Sequence, residues 1–174
     1  MNIQFKITRD LVNQVRADLK RPHPYAAERV GFISCRVGAL PAGGVVVLAH
    51  DYLPVPDEDY IQDDTVGAMM GPAAIRMAMQ YAHKQSAGMF HVHMHDHRGA
   101  PWFSQIDLSE YAKFVPDFWN VRPEMPHGAL VLSLDSVAGA CLIQTTRKMV
   151  RISNITIVGA PLLKIMAEMH DGAI

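Results

Sequence analysis

The sequence predicts a mixed α and β protein, with helices interleaved among strands around one mixed sheet. Three observations carry this expectation. Some segments repeat apolar residues at helical spacing, others are short apolar or alternating runs, and glycine and proline separate the two kinds. At 174 residues the chain suits one domain spanning 1–174, with a core of useful size. Periodicity alone leaves the choice between α/β and α+β open.

Thr8 is placed to cap a helix from Arg9 to about Lys20, in which Leu11, Val15 and Leu19 recur at helical spacing. Arg21-Pro22-His23-Pro24 stops it, because proline cannot donate and biases its predecessor away from helix. Glu28 to Arg36 reads as a strand, Gly38 to Gly44 as a turn, and Val45 to His50 as the next strand. Pro54 to Asp64 is loop-like and acidic. Gly71-Pro72 opens a second helix, with Ile75, Met79 and Ala82 on one face. Gly88 to His95 is a third strand. A polar loop reaches Ser104, where a third helix starts and runs to about Phe114. Further strands are expected at Ala129–Leu134, Ala140–Gln144 and Arg151–Val158, and a last helix from Pro161 to His170.

Sixteen basic and seventeen acidic residues leave a formal charge of −1, so overall charge offers no case for nucleic acid or an anionic membrane. The first residues lack the charged start and apolar run of a signal peptide. No stretch approaches the roughly 18–20 apolar residues that span a bilayer. Cys35 and Cys141 read as small core residues, without a disulfide framework. The expectation is a soluble, cytoplasmic protein. The eleven methionines read as adaptable core filler.

One segment stands apart. His91, His93, His95 and His97 alternate along a strand whose side-chain period is two, so their rings should share a face. Neutral imidazole is a common zinc ligand. The following loop leads into Ser104-Gln105-Ile106-Asp107, which has the form of a helix capping box. A catalytic zinc needs three protein ligands and an open position, and two of the histidines with Asp107 would supply the three. A single histidine on a strand, or Ser-x-x-Asp before a helix, is usually structural. The combination points to one metal ion.

On these residues the chain resembles the JAMM (also JAB or MPN+) zinc metalloproteases, whose signature is an upstream Glu, His-x-His and Ser-x-x-Asp. Glu28-Arg29-Val30-Gly31-Phe32-Ile33 matches the family's Glu-x-x-Gly-Leu-Leu opening, and the order of elements agrees over residues 20 to 145. Two registers compete. His93 and His95 leave eight residues before Ser104, one more than is usual in the family; His91 and His93 leave ten. Gly88-Met89-Phe90-His91 mimics the family's Gly-Trp-Tyr-His and favours the earlier pair. The smaller insertion selects His93 and His95, with His91 in a buried aromatic position of the same face. Asp96 stands where the family usually has proline, and His97 reads as a solvated loop residue.

The resemblance implies a three-layer, cytidine-deaminase-like arrangement with one Zn²⁺ per chain, and it implies the role of each site residue. Glu28 would act as the base, taking a proton from a metal-activated water and returning it to the departing amine. Ser104 would donate a hydrogen bond to the developing oxyanion. The implied activity is an isopeptidase or peptidase, deubiquitinase-like, cutting after the C-terminus of a ubiquitin-like or sulfur-carrier protein. Implied partners are that modifier or its conjugates and the activating or conjugating enzymes of its pathway, with neither nucleic acid nor membrane. Pairing into homodimers also occurs among small members of the family. Acidic residues 57–64 are a candidate attractor for a modifier's arginine-bearing tail. Trp102 and Phe103 are either core anchors or channel walls. Two rivals stand beside this reading: a catalytically silent MPN scaffold, and a metallo-amidohydrolase acting on a small molecule.

Overall fold

A computed structural model of the chain describes residues 2–41, 43–143 and 148–166. The architecture is mixed α+β. Eleven strands and three α-helices follow the chain as β1 (Ile3–Thr8), α1 (Arg9–Leu19), β2 (Val30–Ala39), β3 (Val45–Pro54), β4 (Tyr60–Ile61), β5 (Met69–Met70), α2 (Pro72–Gln85), β6 (Gly88–Met94), α3 (Gln105–Phe114), β7 (His127–Leu132), β8 (Val137–Ile143), β9 (Lys148–Arg151), β10 (Asn154–Val158) and β11 (Leu163–Met166). Nine strands form one sheet in the order β11-β10-β1-β3-β2-β6-β7-β8-β9, and β4 with β5 forms a small separate ribbon. The pairs β1–β10, β1–β3 and β6–β7 are parallel, the rest antiparallel.

The alternation that places side chains on two faces also divides the core in two. On one face Phe90, Val92 and Met94 of β6 pack with Leu11, Val12 and Val15 of α1. On the other, Met89 meets Ala74, Ala78 and Ala82 of α2 and Tyr111 and Phe114 of α3. The buried stripe of α2 is therefore three alanines at four-residue spacing, while Ile75 and Met79 are only half-buried. Small residues let that helix lie close to the sheet. Thr8 caps α1, its Oγ1 accepting the Leu11 N–H at 3.3 Å. Cys35 and Cys141 are buried and free.

Three elements differ from the sequence expectation. Residues 3–8, to which no element was assigned, form a central strand: Ile3, Phe5 and Ile7 are buried and alternate with Gln4 and Lys6. Its Phe5 packs edge-on against Phe90, with ring centroids 5.2 Å apart, directly behind the histidine strand. The run expected as one strand from Arg151 to Val158 is two strands. Only Ile152 and Ser153 lie between β9 at one margin and β10 near the other, and they donate to Gly139 of β8 and Ile3 of β1. The sheet must curl to bring those margins together, in keeping with the twist of β-structure.

The expected helix from Pro161 is instead strand β11 over Leu163–Met166, antiparallel to β10; residues 167–170 of that expectation lie outside the described ones. Without β11, the outer N–H and C=O groups of β10 would lack their ladder partners, a demand that overrides local helical preference. Gln144 of the expected eighth strand also lies outside the described residues. Among the described residues, no helix is long and apolar enough to cross a membrane.

Candidate metal centre

Strand β6 runs through the middle of the sheet, between antiparallel β2 and parallel β7. Its pleat turns His91 and His93 toward α3, while Phe90 and Val92 face α1. The ladder continues one residue past β6, because the His95 N–H donates to Leu132 O at 2.9 Å. That extension keeps His95 in phase with His93. Their Nε2 atoms stand 3.1 Å apart.

The approach to β2 also delivers Glu28. Val30 of β2 is paired with His93, and Glu28 stands in the bend two residues before that pair, its N–H bonded to Gly67 O at 3.0 Å. A ligand oxygen of Glu28 and ring nitrogens of His93 and His95 all lie within 4.8 Å of one another. Asp107 arrives on the first turn of α3, its Oδ2 3.6 Å from His93 Nε2. The capping box holds it there: Asp107 Oδ2 accepts the Ser104 N–H at 2.7 Å, and Ser104 Oγ accepts the Asp107 N–H at 3.1 Å. Ser104 uses only a lone pair in this cap, so its hydroxyl proton is left for another acceptor.

The donor set fits a small divalent cation. Tetrahedral bonds of 2.0–2.1 Å imply ligand-to-ligand edges of about 3.3 Å; His93–His95 at 3.1 Å and His93–Asp107 at 3.6 Å come near that value, while the three groups within 4.8 Å of one another are Glu28, His93 and His95, without Asp107. Burial pushes the pKa of His93 down to about 4, with Asp107 pulling the other way, and burial likewise lowers His95. Both rings are then neutral near pH 7, which is the form that ligates. Burial, and then the nearby Asp107 carboxylate, raises the pKa of Glu28. Two imidazoles and two carboxylates crowd together with no Lys or Arg among the cavity residues that face them, apart from Lys113 at the rim. A cation resolves that crowding better than protons do.

These groups open into a cavity of about 400 Å³, whose opposite wall is apolar and includes Met69, Met70, Ile75 and Phe114. A larger hollow of about 540 Å³, lined in part by Trp102, Asp135 and Ile155, contains none of the four donors. Chemistry places the site in the smaller one.

The remaining sequence candidates separate clearly. His91 does not reach the donor cluster by the same route; its Nδ1 meets the Tyr111 hydroxyl at 3.3 Å. His97 stacks on the exposed Trp102, with ring centroids 5.1 Å apart. Phe103 packs edge-on against Tyr111 and is a core contact. Asp57 pairs with the buried Arg29 at 2.7 Å, and Asp63 is bonded by Thr65, so neither is a free attractor for a basic tail. Tyr111 was not singled out from the sequence. Its Oη lies 3.0 Å from His93 Nδ1, and its spacing of four from Asp107, one helical turn, was the available signal.

No family model matches this chain, and no curated protein matches it.

Proposed function

We propose that this chain is a zinc-dependent hydrolase of amide bonds, of the JAMM type, whose substrate is the C-terminal linkage of a ubiquitin-like or sulfur-carrier protein. One observation carries the reading: Glu28, His93 and His95 offer ligand atoms within 4.8 Å of one another at the end of β6, and Asp107 Oδ2 lies 3.6 Å from His93 Nε2, beside Ser104 and an apolar cavity. The signature Glu, His-x-His and Ser-x-x-Asp thus corresponds to a cluster in space. His93, His95 and Asp107 would hold the ion, and bound zinc would supply Lewis acidity toward the scissile carbonyl.

The chain's own groups do the rest. The Glu28 carboxylate takes a proton from the attacking water as its oxygen bonds to the carbonyl carbon. As the C–N bond breaks, the same carboxyl returns that proton to the amine nitrogen. The Ser104 hydroxyl donates to the oxygen that gains negative charge. Met69, Met70 and Phe114 keep the cavity apolar, which strengthens each of these interactions by excluding water.

The test is zinc stoichiometry and cleavage of modifier fusions by the wild type and Glu28→Gln. One zinc per chain in both, with turnover lost only in the variant, supports the reading. Absence of stoichiometric zinc in protein purified without chelators sinks it, and retained turnover in Glu28→Gln removes Glu28 as the base.

A further inference from the structure

The environment of His93 extends beyond the donor cluster. Its second nitrogen, Nδ1, lies 3.0 Å from the Tyr111 hydroxyl, and that hydroxyl lies 3.3 Å from Nδ1 of His91. Tyr111 is 2% exposed and His91 5% exposed, so bulk water does not compete for these contacts. A phenol has one proton to donate, and each neutral imidazole carries one N–H. With the Tyr111 proton spent on one of the two rings, two arrangements satisfy both contacts. In the first, His93 Nδ1–H donates to Tyr111 and the Tyr111 O–H donates to His91. In the second, every donor is reversed, and the His93 proton sits on Nε2, the atom that faces His95 and Asp107.

Ligation at His93 selects between them, and His91 closes the far end. His91 Nε2 is buried and has no hydrogen-bond partner among the described residues. The His91 ring packs edge-to-face with Phe32 and Phe114, at centroid distances of 5.6 and 5.4 Å. An ion held on the Nε2 lone pair of His93 would leave that ring's proton on Nδ1, so the first arrangement is the one that ligates, and it puts the His91 proton on Nε2. His91 Nδ1 then has only a lone pair and must accept from Tyr111. Tyr111 in turn must accept from His93 Nδ1.

We infer that Tyr111 is a positioning residue of the metal centre: with His91 behind it, it fixes the His93 ring so that the Nε2 lone pair points at the ion. This rests on the reading of His93, His95 and Asp107 as the metal ligands. It gives a role to the histidine that the donor cluster leaves out. Partners of this kind fix ligand tautomer and ring orientation, and losing one typically weakens metal binding about 10–100-fold.

The experiment uses the full chain. Zinc affinity of the wild type and of Tyr111→Phe is measured by competition with a chromophoric chelator, and ¹⁵N–¹H spectra of the zinc-loaded wild type assign the His91 tautomer. The expected results are about a 10–100-fold weaker affinity for the variant and a proton on Nε2 of His91. A variant within twofold of the wild type overturns the inference while leaving the proposed function standing. So does a His91 proton on Nδ1, a readout that needs no variant to fold. A wild type without zinc affinity overturns both.

Discussion

Gly67 lies against the carboxylate of Glu28. A Cβ built on Gly67 would stand 3.1 Å from the carboxyl carbon and from Oε2, and the Gly67 carbonyl accepts the Glu28 N–H at 3.0 Å. The segment before β5 therefore both anchors the backbone of Glu28 and bounds the space its carboxylate occupies. Gly67→Ala should push the carboxylate aside by a few tenths of an ångström. We expect cleavage to fall by roughly 10-fold or more, since small misplacements of a reacting group are costly. Zinc content should stay at the wild-type level. Unchanged cleavage would show that the carboxylate has room to spare.

On the proposed reading Asp107 has two duties, ligand and cap, that can be separated. Asp107→Asn keeps an oxygen for the Ser104 N–H but removes the charge beside His93, so zinc affinity should drop while metal-free thermal stability stays close to the wild type. Asp107→Ala removes both, and its metal-free form should lose a further ~1 kcal/mol, the ordinary worth of a cap interaction. Chelator competition and melting of the metal-free proteins check the two halves independently.

His127 predicts an acid-sensitive fold at a place remote from the ion. Its Nδ1 accepts the Met89 N–H at 3.1 Å and its Nε2 donates to Arg122 O at 2.9 Å, so the neutral ring holds the start of β6 in position. Burial lowers its pKa from 6.5 to about 4. The depressed value means its contribution is complete above pH 6.5, is lost as pH falls from there to about 4, and declines no further below. The shift corresponds to roughly 3 kcal/mol at most. Urea midpoints of metal-free wild type and His127→Gln across this window should converge toward pH 4, because the variant has no such titration. Parallel curves would refute the assignment.

Arg29 and Asp57 make a pair in which the partners are unequal. The Arg29 side chain is 3% exposed and Asp57 49%, with two contacts between them at 2.7 and 3.1 Å. Arg29 also donates to the Arg21 and Pro22 carbonyls, tying the segment before β2 to the acidic turn. Asp57→Ala leaves a buried cation without its counter-charge and should lower the melting temperature measurably. Glu58→Gln, on the same turn, should not. Equal effects from both would mean that net charge, rather than the pair, is what matters.

Much of this site was legible in the chain itself. Alternation over residues 91–97 put the imidazoles in phase, and the Ser104–Asp107 spacing marked a capping box; both are local rules, set by strand and helix geometry within a few residues. The same local rule was available for Ile3, Phe5 and Ile7, whose alternation now reads as the signature of β1. The split between β9 and β10 left no such trace, because it falls at Ile152-Ser153, a two-residue corner with neither glycine nor proline to mark it.

Spacing within single elements makes the candidate donors and the helix cap legible in the chain. Which two of the three histidines face a common point, that Glu28 lies within 4.8 Å of both, and that Tyr111 and His91 sit behind His93 come only from the three-dimensional arrangement. Those relationships depend on the register between β2 and β6 and on the seating of α3 over the sheet. Register is set by the burial of whole strands and helices far from the site, so no short stretch of residues encodes it.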